Sequence, residues 1–340
     1  MSDSGSAPGV AATAAAGQLL PYFVPSVNRR VQTGEGRDRW VLNPACSSDE
    51  DKQRLAFIGA LMGLAVRTGI LLPLSWPRLL WKQLLDLKAT RGDLEAVDAG
   101  FVNGVLRPLE ECAEGAGSEA EAEARFNEHF GSDLTWTTTL SDGKSVDLRP
   151  NGSSMPVLFS ERLEYARLAE WARLNEAREQ TLALKRGLLS TLPAAVLTLL
   201  SADELERLVC GEPTIDVELL RRHTVYAGCS ESDEHIGWFW QCLREMTQEQ
   251  LRAFLVFSLA QSRMPSSDEE FTTRAGHKIR MQIKAAASSG KQGDTPDRRF
   301  MTSDTCQLQT DNRQLKSACC TDEIEMAPER ARTSLTCRAL

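Results

Sequence analysis

A mainly helical α+β fold in two parts is predicted from three observations. Apolar residues return at three- and four-residue steps along several stretches, the spacing of helices with one buried face. Strand text is sparse, and its clearest run is Leu134 to Leu140, rich in Thr and Trp. Tyr226 to Ser230 is short, small and glycine-containing, which marks a joint between a helical body and a second, smaller unit. At 340 residues the chain is long enough for two or three domains.

Residues 1–19, rich in Ala, Gly and Ser, read as a disordered leader. Irregular text punctuated by Pro and Gly then runs to Ser47. Asp51 to Gly69 forms a helix with Phe57, Leu61, Leu64 and Ala65 on one face, while Gly59, Gly63 and Gly69 suit tight burial against protein. After a Pro-bounded turn, a helix over Arg78 to Leu87 buries Leu79, Leu80, Leu84 and Leu87, and Asp93 caps a third. Glu110 to Glu128 carries seven Glu against one Arg, the text of a solvated helix or a flexible insert. Ser141-Asp142-Gly143 turns the strand run back onto Ser145–Leu148 as a hairpin.

A long helix from Glu161 to Leu189 presents Leu163, Ala166, Ala169, Leu174, Ala177 and Leu184 to the core, with Gly187 loosening its end. Pro193 starts another. Ser201 with Glu204 is a capping box for Ala202 to Cys210, and Gly211 is the C-cap. Trp238, Phe239 and Trp240 share one helix as core of the second unit, and Thr247 caps a helix over Gln250 to Leu259. Beyond Pro265 the apolar periodicity fades, and residues 307–340 carry almost no core signal.

Composition narrows the function. The chain is 42% hydrophobic and 25% charged, near the globular average. Lys and Arg total 39 against 47 Asp and Glu, a net charge of -8, so there is no electrostatic footprint for nucleic acid or an anionic membrane. The uncharged stretch Leu55 to Val66 is shorter than the roughly 20 residues of a membrane span. Nine cysteines at irregular spacing argue for a reducing compartment, the cytoplasm or the nucleus, over a disulfide framework. No CxxC occurs and the histidines (129, 223, 235, 277) lie singly, so neither a metal nor a cofactor is expected.

The order of short motifs goes further. Phe57–Arg67, Leu72-Pro73-Leu74, Trp81–Leu85 and Val146–Gly152 are followed by Glu204-Leu205-Glu206-Arg207-Leu208-Val209-Cys210-Gly211. Ile215-Asp216-Val217, Thr224-Val225-Tyr226, Trp238-Phe239-Trp240 and Phe254 to Pro265 come next. In that order, over about two hundred residues, they resemble the HECT ubiquitin-ligase domain. Pro25-Ser26-Val27-Asn28, Asp38-Arg39-Trp40 and Asn43-Pro44 are similar to its HERC-type branch. The resemblance implies a bilobal fold: a helical N-lobe over 20–227, with a docking subdomain for the conjugating enzyme near 100–160, and an α/β C-lobe over 228–306. Residues 307–340 form a divergent tail.

It also implies a ligase that accepts ubiquitin from a conjugating enzyme as a thioester and passes it to a lysine of a protein substrate. The family nucleophile lies in Leu-Pro-Thr-x-x-Thr-Cys-Phe, and Phe300-Met301-Thr302-Ser303-Asp304-Thr305-Cys306-Gln307 is the matching text. That makes Cys306 the catalytic residue, and thioester exchange through a thiolate needs no cofactor. Leu-Pro is replaced by Phe300-Met301, the following aromatic by Gln307, and the expected strand and final helix do not follow. The departure leaves open a catalytically inactive HECT-like scaffold, or a coding sequence misread after about residue 307. Cys210, Cys229 and Cys242 read as structural thiols, and Cys319, Cys320 and Cys337 receive no role.

Overall fold

The computed structural model describes residues 21–284, apart from 132, 260 and 275. They fall into two compact units, one formed by 21–63 with 75–205 and the other by 64–74 with 206–284.

The first unit opens with β1 (Phe23–Pro25), α1 (Val27–Val31) and β2 (Trp40–Leu42), in a stretch the sequence leaves irregular. The strands pair antiparallel, with Val24 opposite Val41. Three-residue strands are too short to show a period of two. Asn28 holds this opening together. Its Nδ2 donates to the carbonyls of Glu35 (2.9 Å) and Glu95 (2.8 Å), and its Oδ1 accepts from the Ala99 N–H at 2.7 Å.

Next is α2 (Asp49–Thr68), the expected helix with a different buried face. Leu55, Met62, Ala65 and Val66 point inward, whereas Phe57, Leu61 and Leu64 are exposed. The glycines explain the phase. A Cβ on Gly59 would lie 1.9 Å from the Leu184 carbonyl oxygen, and one on Gly63 1.8 Å from Thr191 Oγ1. The small residues therefore form the contact, and the large ones rotate away from it.

Leu79, Leu80, Trp81 and Leu84 are buried on α3 (Arg78–Leu84), but the helix stops there. Asp86 takes a left-handed φ of 55°, and Leu87 is exposed, not buried as expected. In α4 (Arg91–Glu95) the cap is Thr90, and Asp93 sits at the third helical position. Its carboxylate reaches back to the Thr90 N–H (2.8 Å) and hydroxyl (2.7 Å), the geometry of a capping box.

The single helix expected over Glu161–Leu189 is two, α8 (Arg162–Leu174) and α9 (Arg178–Thr191), broken at Asn175–Ala177. Leu163 is exposed on α8. Gly187 lies inside α9, where a Cβ would come within 1.7 Å of the Ala56 carbonyl oxygen. It is a close-approach glycine, not a loosened end. Pro193 precedes α10 (Ala194–Leu197) as expected. The division between the units falls within α11 (Ala202–Cys210), whose cap shows the Ser201 N–H donating to Glu204 Oε2 at 2.7 Å.

The second unit contains α12 (Val217–Arg222), β5 (Thr224–Ala227), α13 (Glu234–Glu245), α14 (Gln248–Leu259) and β6 (Met281–Lys284). Strands β5 and β6 pair in parallel, Thr224 opposite Met281. One core runs through Ile215, Leu220, Trp240, Leu255, Phe271 and Met281, so residues on both sides of Tyr226–Ser230 contribute to it. Trp240 is buried, but Trp238 is 60% exposed and lies outside the core expected for it. Phe271 was missed as an isolated apolar residue in polar text, whereas Met281 stands in the alternation Ile279-Arg280-Met281-Gln282-Ile283, a strand signal overlooked in text read as fading beyond Pro265.

Candidate functional site

The segment over 100–160 is built on one helical run with a defect. Between α5 (Ala99–Phe101) and α6 (Arg107–Glu111), residues Val102–Leu106 form a widened π turn. Pro108 is the cause that the sequence supplies. It has no N–H to give the Gly104 carbonyl four residues back, and its ring would collide with a regular turn. His129 Nε2 lies 3.3 Å from that carbonyl and donates to it in the Nε2–H tautomer. His129 sits on α7 (Glu119–Phe130), which is the ordered form of the acidic stretch. Its glutamates face solvent, while Ala122 and Phe126 enter the core.

The hairpin of β3 (Thr137–Thr139) and β4 (Ser145–Asp147) is the one expected, with Thr138 opposite Val146. It does not stand on its own core. Leu106, Leu109, Phe126, Trp136 and Phe159 pack with Tyr165, Ala166 and Ala169 of α8. The Tyr165 hydroxyl donates to the Thr137 carbonyl at 2.9 Å, and burial pushes its pKa up to about 12. Arg149 covers the buried Trp136 ring at 3.4 Å and pairs with Glu161 and Glu164.

Two ionic centres fix the segment to the helices beneath it. Arg173, 3% exposed, donates to Asp98 Oδ2 (3.0 Å) and the Thr139 carbonyl (2.7 Å), and lies 3.3 Å from Glu176 Oε2. Burial pushes the Glu176 carboxyl up, against the Arg173 charge and the Ser141 N–H that it accepts at 2.9 Å. Arg91 bridges Glu110 and Glu170 through Nη2 at 2.8 and 2.6 Å, which ties α4, α6 and α8 together.

In the second unit, Gly211 follows Cys210 at a φ of +86°, and a Cβ there would meet the Met264 carbonyl oxygen at 2.7 Å. Both conditions require glycine, a physical reason for the Cys210-Gly211 pair. Arg263 Nη2 meets Glu206 at 2.6 Å beside it. The Trp240 indole donates to the Tyr226 hydroxyl at 2.9 Å and locks α13 to β5. Asp268 accepts from Arg222 Nε (3.1 Å) and Nη2 (3.2 Å), and His223 Nε2 is 2.8 Å away. Its carboxyl is held below the usual range by Arg222 first and His223 second.

Cys306, the expected nucleophile, lies outside the described residues, as do Cys319, Cys320 and Cys337. Cys210 is 1% exposed at the end of α11, and Cys46 is also buried. Cys229 and Cys242 are half-buried. His129 and His223 have the partners given above, while His235 and His277 are exposed. Among the described residues no cluster of three or more His, Cys, Asp or Glu could hold a metal ion. None of their helices is long and apolar enough to cross a membrane. Sequence reasoning missed His129, whose signal was Pro108 demanding an outside donor, and Arg173, whose signal was a charge at a buried step of α8.

The HECT-domain (ubiquitin-transferase) family model matches residues 21–320, and the chain belongs to that family. It is similar to the human E3 ubiquitin-protein ligase HERC2, at 30% identity over 256 residues, which is 75% of this chain and 5% of that protein. It is also similar to the human probable E3 ubiquitin-protein ligase HECTD4, at 30% identity over 80% of this chain and 7% of that protein. The Saccharomyces cerevisiae E3 ubiquitin-protein ligase RSP5 is 33% identical over 62% of this chain and 24% of its own length. The chain thus spans a small part of each relative, and HERC2 fits the HERC-type text near Asn28.

Proposed function

We propose that this chain is a ubiquitin-ligase catalytic region in which Cys306 carries ubiquitin as a thioester. The family match that runs from residue 21 through Cys306 to residue 320 carries the reading. The Cys306 thiolate attacks the thioester carbonyl carbon of ubiquitin loaded on a conjugating enzyme. A new C–S bond forms, the old one breaks, and the enzyme's thiolate leaves. A substrate lysine amine then attacks the same carbonyl, forms an amide, loses its proton and releases Cys306. The chemistry replaces one thioester by another, so positioning is the main demand.

In this reading residues 20–227 are the N-lobe and 228–306 the C-lobe, with conjugating-enzyme docking over about 100–160, although the compact units divide earlier, within α11, and β5 pairs within the second. The shared core of that segment and α8 supports a rigid platform for docking. Action in the cytoplasm or nucleus goes with the irregular cysteines. A second reading, an inactive scaffold that still binds the conjugating enzyme, is favoured by Phe300-Met301 and Gln307 in place of the family text around Cys306.

A single-turnover assay separates the two. The chain is mixed with a conjugating enzyme preloaded with labelled ubiquitin and resolved with and without reductant. A reductant-sensitive adduct lost in Cys306→Ala and kept in Cys210→Ala is expected. No adduct with intact binding to the conjugating enzyme overturns the ligase reading in favour of the scaffold.

A further inference from the structure

We propose that Ser267 is a phosphoacceptor for an acid-directed protein kinase, and that Arg222 and His223 receive its phosphate. The loop over 266–271 presents Ser267 exposed, followed at once by Asp268, Glu269 and Glu270, all exposed. Its neighbours' polar groups are occupied. The Ser266 N–H and hydroxyl donate to Glu270 Oε2 at 2.8 and 2.7 Å, the Glu270 N–H donates to the Ser267 carbonyl at 3.2 Å, and Asp268 is held by Arg222 and His223. The Ser267 hydroxyl has no hydrogen-bond partner among the described residues.

Charge on the N-terminal side selects the kinase class. Arg263, four residues before Ser267, is buried and paired with Glu206, and Met264 and Pro265 are buried, so a base-reading kinase finds nothing to hold. A kinase with a basic substrate groove meets three carboxylates directly after the serine. Other exposed serines also precede carboxylates: Ser230 and Ser232, ahead of Asp233 and Glu234, bond each other at 2.8 Å, and Ser48, ahead of Asp49-Glu50-Asp51, bonds Asp51 at 2.6 Å, which leaves Ser47 as the competitor that the mass spectrometry must separate from Ser267.

In the transfer, the serine oxygen bonds the γ-phosphorus of ATP, the bond to the β-phosphate oxygen breaks, the hydroxyl proton is lost and ADP leaves. The phosphate then lies one residue from the group that Arg222 and His223 already grip. A guanidinium binds phosphate in the same two-pronged way as carboxylate. His223 stacks on Phe271 at 3.9 Å, and Phe271 is core, so tightening here anchors the segment leading to β6.

The test treats the full chain with a purified acid-directed serine kinase and magnesium–ATP, then locates phosphate by peptide mass spectrometry. One phosphate on Ser267 is expected in the wild type and in Ser230→Ala/Ser232→Ala, and none there in Ser267→Ala. Amide exchange over 281–284 should slow about tenfold on phosphorylation and stay unchanged in phosphorylated Arg222→Gln. Absence of phosphate on the folded chain, while a peptide of residues 263–273 is modified, overturns the site. Incorporation without slower exchange overturns the receiving role of Arg222 and His223.

Discussion

Replacing Gly187 by Ala probes the contact that sets the first unit's helices against each other. A Cβ at this position lies 1.7 Å from the Ala56 carbonyl oxygen, and 2.6 Å from its carbon, where ordinary contact begins near 3.4 Å. The backbones of α2 and α9 must therefore part locally by about half of that ordinary distance, since neither neighbour is a side chain that can swing aside. Overpacking of this kind costs about 1–3 kcal/mol, against which alanine in a helix returns about 0.5–1 kcal/mol. Separation also loosens Leu184 and Leu188, both fully buried on α9. The two terms leave a net loss of about 0–2.5 kcal/mol, which the loosened leucines push toward the upper end, or a Tm lower by up to roughly 10 °C. Thermal unfolding by circular dichroism measures it, with Gly100→Ala as the control in the same unit. A Cβ on Gly100 meets nothing nearer than Asp98 Oδ1 at 3.6 Å, so that variant should match the wild type or exceed it by up to about 1 kcal/mol. If Gly187→Ala is as stable as Gly100→Ala, glycine contact does not determine the phase of α2.

Trp240→Ala should cost about 3–5 kcal/mol in urea unfolding, because the side chain is 1% exposed and bonded to Tyr226, whereas Trp238→Ala, at 60% exposure, should stay within about 0.5 kcal/mol. Asp93 is buried, which raises its pKa, but the Lys82 ammonium and the Thr90 hydroxyl and N–H outweigh burial and hold the carboxyl below 3.8. Its stabilisation is therefore present above about pH 4 and lost as pH falls through the lowered value, so Asp93→Asn should flatten the acid limb of a stability–pH curve. His129→Ala removes the donor to the Gly104 carbonyl and should speed amide exchange in α7, while the same substitution in Pro108→Ala, which restores a backbone donor, should have a smaller effect. Equal effects in the two backgrounds would refute the link between the proline and the histidine.

Local sequence reported the elements whose stability is local. The capping box at Ser201 and Glu204, the left-handed Gly211 and the Ser141-Asp142-Gly143 hairpin are each decided within a few residues, and each appears where its text stands. The phase of α2 was not local. Phe57, Leu61 and Leu64 make a respectable apolar stripe by spacing alone, but the contact with α9 selects the opposite side, where glycine permits backbones to touch. The break between α8 and α9 is of the same kind: Asn175 and Glu176 are tolerable in a helix, and the Arg173–Asp98–Glu176 centre that bends the chain spans 78 positions. Such choices belong to the tertiary structure.

The site divides along the same line. The proposal for Cys306 rests on its neighbours Thr302, Ser303 and Thr305, because a motif of this kind is written in consecutive residues. The core of the segment over 100–160 is instead written across the chain. Pro108 breaks the hydrogen-bond ladder at Gly104, and the repair comes from His129 on a stretch that the acidic composition alone described as a solvated helix or a flexible insert. An acidic stretch can therefore be both solvated and anchored: its glutamates meet water, while Ala122 and Phe126 enter the core that includes Trp136 and Tyr165 and His129 bonds the Gly104 carbonyl. The negative face that α7 presents is accordingly held rigidly, and a rigid face costs a partner less to bind than one that must first be ordered.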